Sequence, residues 1–593
     1  MLSIKYKEEC QQVELSVDDV SFAWIEIRRI CQETSKEIEV TSNSIVIPWW
    51  EFLSLKDNLR FIFSKYKVKL NIDEQAQNIL KKSLGKQNAY SAGSSMLPID
   101  KDSIISTLES EGFSRPLTEH QIENLTKLCK FSSAASFSVP GAGKTTEALA
   151  YYFFKKNSKS KLFIVAPKNA FAAWEQQLAL CVDNPPKIFR LRGGYQHIKE
   201  LLKKEPEVMM ITYQQLPGVL DLIGKYLSKN EFFMFVDESH RMKRGNKGKI
   251  GSSILNLSHL PENKLILSGT PMPNTIDDLI PQFNFLYPEI NVQEKNVVDL
   301  IQPIYVRTTK EQLNLPKKKI SIVQIPMTSR QRRLYELLRS ETAREAETLL
   351  KARDRIALRA IGRSVLRLIQ LTSNPALLAK TSFSYHEILR DVLSEGDSPK
   401  VRYVCERARK LASENNKVLI WSSFVENVEL IALRLSDLGA DFIHGGVDSG
   451  EEEDSDTREY KINQFHKDPN ARILVANPAA ASEGISLHEA CNHAIYLDRN
   501  YNAAQFLQSM DRIHRYGSKK EAEIEIVTCA DTIDESVDRR LNQKINLMAE
   551  VLNDPSLKIE VEYSDEEYGE DGLNEQDIDD LLNHLQGKEV ESK

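Results

Sequence analysis

The stretch Ser138-Val-Pro-Gly-Ala-Gly-Lys-Thr-Thr146 is the strongest indication of the fold of the first half of this chain. In a glycine-rich turn that ends in Lys-Thr, Gly141 and Gly143 leave room for backbone N–H groups to surround phosphate groups. Lys144 is placed to reach the β- and γ-phosphates, and the Thr145 hydroxyl to face Mg²⁺. The first position of the stretch is serine where the full pattern has glycine. By itself, the stretch therefore leaves an ordinary strand-to-helix turn as the alternative.

Composition indicates a soluble globular protein of several domains. The chain has 593 residues, of which 41% are hydrophobic and 27% charged, and this length predicts about three to five domains. No apolar run has the length needed to cross a bilayer, and the first residues lack the apolar stretch of a secretion signal. We therefore expect no membrane partner and a cytoplasmic, nucleoid-associated location.

Cysteine spacing argues against two kinds of site, and net charge excludes no class of partner. The seven cysteines are scattered and form no Cys-x-x-Cys pair, which argues against a zinc site and against a disulfide framework. We expect buried free thiols. A net charge of −7 does not point to nucleic-acid binding, but it does not exclude it, because a basic cleft can lie on an acidic molecule.

Short apolar runs recur in two series, and each run ends in a polar or glycine-containing cluster. Runs of this kind, separated by helical patterns, are typical of parallel strands that are covered on both faces. They predict an α/β protein with two sheets, whose chemistry gathers at the carboxyl ends of the strands. The runs are residues 162–166, 208–211, 232–236 and 264–267 in the first series, and 418–421, 473–476, 493–497 and 524–527 in the second.

Two adjacent acids, Asp237 and Glu238, follow the apolar run 232–236. If this run is a strand of the sheet that carries the glycine-rich turn, Asp237 can hold Mg²⁺ through its water shell, while Glu238 orients and deprotonates an attacking water. An exposed turn is the alternative, since such pairs are common at strand ends.

From about residue 115 to residue 551 the chain resembles the superfamily 2 helicases, and more closely their SWI/SNF-type branch of double-stranded DNA translocases, including bacterial stand-alone members. The motifs occur in the order that the family has. The resemblance implies two RecA-like parallel-sheet lobes with a helical insertion between them. It rests on Pro116-Leu-Thr-Glu-His-Gln121, the glycine-rich turn, Ile164-Val-Ala-Pro167, Asp237-Glu-Ser-His-Arg-Met-Lys243, Ser268-Gly-Thr-Pro-Met-Pro-Asn274, Arg307-Thr-Thr-Lys310, Glu483-Gly-Ile-Ser-Leu487 and Gln508-Ser-Met-Asp-Arg-Ile-His-Arg-Tyr-Gly517.

The resemblance also implies an ATP site with Mg²⁺. Gln121 is expected at the adenine, and Thr146 and Gly484 are expected among the nucleotide-binding residues. Arg512 and Arg515 match the family's arginine fingers. Three residues apart on one predicted helix, they would share a face and could reach across a cleft between the lobes to the γ-phosphate.

Double-stranded DNA is the partner that the resemblance implies. The predicted DNA contacts lie in the motifs that follow the strands of both lobes. They are Pro167, Lys168, Trp174, Thr212, Tyr213, Ser422, Ser423 and Asn477.

The remaining sequence predicts accessory parts. The domains are expected to be an N-terminal α/β accessory domain (1–95), a first lobe (96–325), a helical insertion (326–395), a second lobe (396–551) and an acidic tail with a short terminal helix (552–593). Within the accessory domain, residues 45–63 predict a strand that leads into an amphipathic helix. Residues 85–98, rich in Ser, Gly and Asn, predict a linker.

The function expected from these features is ATP-driven movement along double-stranded DNA, or remodelling of DNA or of DNA–protein complexes. Two alternatives stay open at this point, a strand-separating DNA or RNA helicase and a scaffold subunit whose ATPase has decayed. No nuclease or chromatin-reading motif is evident in the sequence. We therefore expect a partner such as a nuclease or methyltransferase, within a bacterial defence or repair system.

Overall fold

The computed structural model describes residues 1–350, 355–381, 384–447, 457–481 and 486–558, without the side chains of 346–362. The chain divides into two compact units, Met1–Gln312 and Leu313–Lys593. This division falls earlier than the predicted end of the first lobe at residue 325. The predicted acidic tail lies outside the described residues from residue 559 onward.

The N-terminal part of the first unit is a small α/β domain around a mixed sheet. Its strand order is β3-β4-β2-β1-β5, with β1 parallel to β5 and the other neighbours antiparallel. The predicted strand leading into a helix is confirmed by β4, α2 and α3, and Trp49 is fully buried in the core. The elements are β1 (Leu2–Lys7), β2 (Gln12–Val17), α1 (Phe22–Thr34), β3 (Glu39–Val40), β4 (Ser44–Pro48), α2 (Trp49–Ser54), α3 (Lys56–Lys65), β5 (Leu70–Ile72) and α4 (Glu74–Ser95).

Helix α4 replaces the predicted linker, and the linker prediction is wrong over most of its length. Asp73 caps the helix by accepting a hydrogen bond from the Ala76 backbone at 2.6 Å. Near its carboxyl end, the Tyr90 hydroxyl donates to the Leu300 carbonyl at 2.8 Å. Serine, glycine and asparagine are weak helix formers, but packing against the rest of the unit outweighs local propensity.

The first lobe is an all-parallel sheet covered by helices. Its strand order is β12-β6-β11-β10-β7-β9-β8. All four apolar runs of the first series form strands of this sheet, as predicted. The elements are α5 (Lys101–Ser110), α6 (Glu119–Leu128), β6 (Ser133–Ser136), α7 (Lys144–Lys155), β7 (Lys161–Ala166), α8 (Phe171–Cys181), β8 (Ile188–Arg190), α9 (Gly194–Leu202), β9 (Val208–Thr212), α10 (Leu220–Leu227), β10 (Phe232–Asp237), α11 (Lys249–Asn256), β11 (Asn263–Leu267), α12 (Leu279–Leu286), α13 (Glu294–Ile301) and β12 (Tyr305–Val306).

The second unit contains a six-stranded parallel sheet in the order β13-β18-β17-β14-β16-β15. The runs of the second series form its strands, so the predicted pair of parallel-sheet lobes is confirmed. The elements are β13 (Lys318–Gln324), α14 (Ser329–Leu350), α15 (Arg355–Ser373), α16 (His386–Leu393), α17 (Pro399–Ser413), β14 (Val418–Trp421), α18 (Val425–Arg434), β15 (Asp441–Ile443), α19 (Arg458–Lys467), β16 (Ile473–Ala476), α20 (Pro478–Ala481), β17 (His493–Tyr496), α21 (Ala503–Met510), β18 (Ala522–Thr528) and α22 (Asp534–Val551).

Strand β13 explains why the units divide before residue 325. It pairs along its whole length with β18, from Lys318 opposite Ala522 to Gln324 opposite Thr528. The predicted helical insertion follows as α14, α15 and α16, and it lies in the same unit. At its start, the Tyr335 hydroxyl accepts a hydrogen bond from the Ile533 backbone at 2.5 Å.

The sequence predicts no membrane span, no disulfide framework and no zinc site. None of the helices that the structure describes is long and apolar enough to span a bilayer. The seven cysteines are free, and five of them are buried. Among the described ranges, no group of three or more His, Cys, Asp or Glu side chains is arranged to hold a metal ion.

Two glycines of α4 give a matched test of this helix. A Cβ at Gly85 meets nothing within 4 Å, whereas one at Gly93 lies 2.8 Å from Cε1 of the buried Phe131. We expect Gly85→Ala to raise the free energy of unfolding by up to about 1 kcal/mol, since alanine is the better helix former. Gly93→Ala is expected to lower it by about 1–3 kcal/mol through overpacking. Urea unfolding measures both. An effect of the same sign in the two variants would contradict a docked helix at residues 74–95.

Candidate nucleotide-binding site

The phosphate loop leaves the sheet at the end of β6 and enters α7. Gly141 and Gly143 have φ of 89° and 80°, in the left-handed region that glycine tolerates best. A Cβ at Gly143 would lie 2.3 Å from Nε2 of Gln121, so a side chain there would displace the end of the glutamine side chain. The Lys144 ammonium donates to the Ser138 carbonyl at 2.9 Å and to the Val139 carbonyl at 3.4 Å. The Lys144 ammonium therefore lies over the loop in which a phosphate would bind.

Gln121 contacts the phosphate loop directly. Its Nε2 donates to the Gly143 carbonyl at 3.3 Å, and its Oε1 accepts from the Thr118 backbone at 3.0 Å. These bonds fix the first turn of α6 against the loop. The structure thus places Gln121, the residue predicted to contact adenine, beside the backbone of the predicted phosphate loop.

The two threonines after Lys144 differ in surroundings. Thr145 is half-buried at the first turn of α7. Thr146 is buried, and its hydroxyl donates to Oε1 of Gln177 at 3.0 Å. Thr145 is therefore the threonine open to a metal ion, and we assign Thr146 a structural role in joining α7 to α8.

The acidic pair meets the phosphate loop because three neighbouring strands end at one level. In the sheet register, Asp237 of β10 lies opposite Leu267 of β11, which lies opposite Ser136 of β6. The loops that follow these three residues leave the same edge of the sheet. This is the carboxyl edge, where ligands of parallel sheets bind.

Asp237 is held by two hydrogen bonds. The Trp174 indole N–H donates to its Oδ2 at 2.9 Å, and the Glu238 backbone N–H donates to its Oδ1 at 3.0 Å. Glu238 has φ of 53°, a left-handed conformation that is uncommon for glutamate. The Tyr213 hydroxyl donates to the Glu238 carbonyl at 3.2 Å and contacts the Asp237 carbonyl as well. Buried aromatic residues therefore fix the backbone turn that presents both acids.

The two carboxyl groups have opposite pKa shifts. Burial raises the pKa of Asp237, and the charge of Glu238 raises it further. Burial alone would raise the pKa of Glu238, but a hydrogen bond to His240 and the charges of His240, Lys144 and Arg241 hold it well below its usual value. His240 Nδ1 lies 3.4 Å from Glu238 Oε2 and 3.1 Å from the Ser268 hydroxyl. Glu238 therefore loses its proton at a lower pH than Asp237 does.

These residues suit a magnesium nucleotide. Hydroxyl and carboxylate oxygens are the ligands that Mg²⁺ prefers, and Thr145 and Asp237 provide one of each. A cation beside Asp237 would favour its charged form and offset the raised pKa. Lys144 supplies the positive charge that phosphates require.

Ser268-Gly-Thr270 belongs to the stretch that resembles the family's coupling motif, and it is bonded to the same edge; we call it the coupling motif below. The Thr270 backbone N–H donates to the Ser268 hydroxyl at 3.2 Å. The Arg307 guanidinium donates to the Gly269 carbonyl at 3.4 Å and contacts the Phe137 carbonyl just before the phosphate loop. A movement of the coupling motif would therefore act on the phosphate loop through Arg307.

The predicted arginine fingers lie in the second unit, but not on a helix. Helix α21 ends at Met510, and the chain continues in turns through Arg512 and Arg515. The prediction that both lie on one helical face is wrong, because bonds between residues three apart tighten the chain after Met510. One such bond joins the Arg512 N–H to the Ser509 carbonyl at 3.2 Å.

Arg512 is nevertheless held in place by hydrogen bonds. Arg512 is buried, and its Nε donates to the Gln508 carbonyl at 2.9 Å. Its own carbonyl accepts from the Leu487 backbone at 3.0 Å. Burial lowers the pKa of Arg515, and Asp511 partly offsets this. Gly484, which the resemblance implied at the nucleotide, lies outside the described residues.

The predicted DNA-contacting residues fall into two groups. Trp174, Tyr213 and Ser422 are completely buried, and Pro167 and Asn477 are also buried. In this conformation we assign Trp174, Tyr213 and Ser422 structural roles in place of the predicted DNA contact. The exposed or half-buried group consists of Lys168, Thr212 and Ser423.

A buried polar network at the second sheet's carboxyl edge accounts for Ser422 and Ser423. Its centre is Asp498, a residue missing from the sequence-based predictions. Asp498 accepts bonds from the Ser422 hydroxyl (2.6 Å), the Ser423 backbone (2.6 Å) and the Ser373 hydroxyl (2.7 Å). The signal for it was present, since Asp498 follows an apolar strand as Asp237 does.

The network predicts that Asp498→Asn is costly. An amide cannot accept hydrogen bonds on its nitrogen side, and bonds to a charged group contribute about 1.5–3 kcal/mol each. We expect the free energy of unfolding in urea to fall by about 2 kcal/mol or more. Asp437→Asn is the control, because Asp437 pairs with Arg409 on the surface. Equal effects of the two substitutions would contradict a structural role for Asp498.

Two family models match parts of the two lobes. The family model described as SNF2-related domain matches residues 137–297, and the helicase conserved C-terminal domain matches residues 399–517. The ATP-dependent helicase fft1 of Schizosaccharomyces pombe is 23% identical over 76% of this chain and 54% of its own length. The putative ATP-dependent helicase/translocase YwqA of Bacillus subtilis is 25% identical over 70% of this chain and 46% of its own length.

A solved structure is also similar. The Sulfolobus solfataricus SWI2/SNF2 ATPase core in complex with dsDNA is 20% identical, covers 75% of this chain and 95% of that chain, and has a TM-score of 0.33. The chain spans about half the length of the two curated relatives named above. The chain thus matches the model of an SNF2-related domain and, after it, that of a helicase conserved C-terminal domain, and the resemblance drawn from its motifs is confirmed.

Proposed function

We propose that this chain is an ATP-driven translocase on double-stranded DNA. The observation that carries the proposal is the meeting of Lys144, Asp237 and Glu238 at one edge of the first sheet, with the three strands β6, β11 and β10 in register. A phosphate-binding lysine, a metal-binding carboxylate and an ionised second carboxylate are the groups that phosphoryl transfer to water requires.

The residues of the first lobe have separate roles in this proposal. Lys144 exchanges its bonds to the Ser138 and Val139 carbonyls for phosphate oxygens. Thr145 and Asp237 hold Mg²⁺, which neutralises charge on the phosphates when it is bound. Glu238, kept ionised by His240 and its basic neighbours, accepts a hydrogen bond from the attacking water and receives its proton.

Arg512 and Arg515 are proposed to stabilise the γ-phosphate charge from the second lobe. This role comes from the family resemblance of their motif. The bond from Arg512 Nε to the Gln508 carbonyl fixes the guanidinium plane, which suits a finger that must arrive in one orientation. Such a finger contributes about 10³–10⁵ in rate in other phosphoryl-transfer enzymes.

For DNA we propose contact along the carboxyl edges of both sheets. Lys168 follows β7, Thr212 ends β9, and Ser423 follows β14. All three are at least partly exposed and can donate to backbone phosphates. The relatives fft1 and YwqA are named as a helicase and a putative helicase/translocase, and this supports a nucleic-acid motor. A nuclease or methyltransferase partner, a defence or repair role and a nucleoid-associated location stay predictions.

The motor proposal predicts ATP hydrolysis that depends on Glu238 and on duplex DNA. Glu238→Gln removes the proton acceptor, so we expect the rate to fall by about 10²–10⁴-fold. Lys144→Ala is expected to weaken nucleotide binding. Phosphate release with and without DNA measures both variants, and Lys159→Ala, an exposed lysine of the same lobe, is the control.

Three polynucleotides distinguish the motor from a strand-separating helicase, and one variant distinguishes it from a scaffold. Stimulation by duplex DNA above single-stranded DNA and RNA supports the translocase. A preference for RNA or for single strands would favour a strand-separating helicase. Full biological activity of Lys144→Ala would favour the scaffold with a decayed ATPase.

A further inference from the structure

The phosphate loop of this chain departs from the common pattern at its first position. Ser138 stands there in place of glycine. Its backbone φ is not positive, so the conformation itself does not require glycine. The side chain of Ser138 is buried and makes specific contacts. These contacts indicate what a serine contributes at this position of the loop.

The Ser138 hydroxyl bonds the loop to the segment after β12. It accepts from the Thr308 backbone N–H at 3.0 Å, and the Val139 N–H donates back to the Thr308 carbonyl at 3.1 Å. The Ser136 hydroxyl lies 3.5 Å away, at the limit of a hydrogen bond. Two bonds with one residue thus fix the position of the loop's entry.

Thr308 is itself held by the helices on either side of the loop. The Asn124 amide of α6 donates to the Thr308 hydroxyl at 3.0 Å and to Oε2 of Glu147 in α7 at 2.7 Å. All of these groups are buried. The loop entry, the helix of Gln121 and the first turn of α7 therefore form one connected set of bonds.

A second contact acts from the opposite side. Pro140 packs so closely on Gly269 that a Cβ there would lie 2.9 Å from the proline Cδ. Proline also restricts the backbone of the loop through its fixed φ. The loop is thus confined between the segment of Thr308 and the coupling motif.

We propose that Ser138 is a positioning residue that keeps the phosphate loop in its nucleotide-binding shape before nucleotide arrives. This inference rests on the proposed function, because it concerns the same nucleotide site. The Ser138 carbonyl accepts from Lys144 at 2.9 Å while the Ser138 hydroxyl is bound to Thr308. Nucleotide binding then requires only that the lysine side chain move, and the loop backbone stays in place.

Glycine at position 138 would bring the phosphate loop closer to the common pattern, but it would not improve the binding of nucleotide. Restoring glycine at position 138 would remove the acceptor and add backbone freedom, which must be lost again on binding. The substitution that brings the loop closer to the common pattern is therefore expected to weaken nucleotide binding.

The test compares Ser138→Ala and Ser138→Gly with wild type. Loss of one net hydrogen bond predicts about a 5-fold rise in the ATP Km and in the Kd of a non-hydrolysable ATP analogue for alanine, and about 10-fold or more for glycine. The change in kcat is expected to be smaller than that in Km. Ser160→Ala is the control, because its buried hydroxyl also accepts from a backbone N–H (Asn157, 3.0 Å).

The outcomes separate this inference from the proposed function. If wild type binds no nucleotide, the proposed function fails. If wild type binds and Ser138→Ala has an unchanged Km and Kd, or changes only as Ser160→Ala does, the inference is overturned. Should the alanine variant fold poorly in urea titrations, Ser138→Cys keeps the volume with a weak acceptor. It must then show the same rise in Km with a wild-type unfolding midpoint.

Discussion

The parallel register of β6, β11 and β10 is the constraint on which the candidate site depends. Because Ser136, Leu267 and Asp237 lie opposite one another, the phosphate loop, the coupling motif and the acidic pair leave the sheet at one level. A slip of one residue would turn each side chain to the other face of the sheet. The apolar interior of the first lobe therefore determines the geometry of the polar site at its edge.

Buried polar contacts then fix the groups that the sheet brings together. Trp174 and Tyr213, both fully buried, hold the turn of Asp237 and Glu238. In the second lobe, Asp498 does the same for the loop of Ser422 and Ser423. A buried acceptor left without its donors is costly, so each network holds its loop in one arrangement. In both lobes the residues that support the edge come from several separate elements.

The strands and the acidic pair were predictable, because an apolar run of four or five residues and a glycine-rich turn are local signals. Helix α4 was not, since residues 85–98 include many weak helix formers and the helix depends on contacts such as that of Tyr90 with the Leu300 carbonyl. The burial of Trp174 likewise depends on residues distant in sequence, such as Asp237. Local pattern thus located the chemistry, and tertiary packing decided which side chains are exposed to it.

A structure of the chain with ADP, a γ-phosphate transition-state analogue, Mg²⁺ and duplex DNA tests the account most directly. The account predicts Lys144 and the guanidinium groups of Arg512 and Arg515 within hydrogen-bonding distance of the analogue, with Asp237 on the metal side and Glu238 beside the attacking water. An analogue bound by the first lobe alone, with both arginines turned away from it, would contradict a motor built from two lobes.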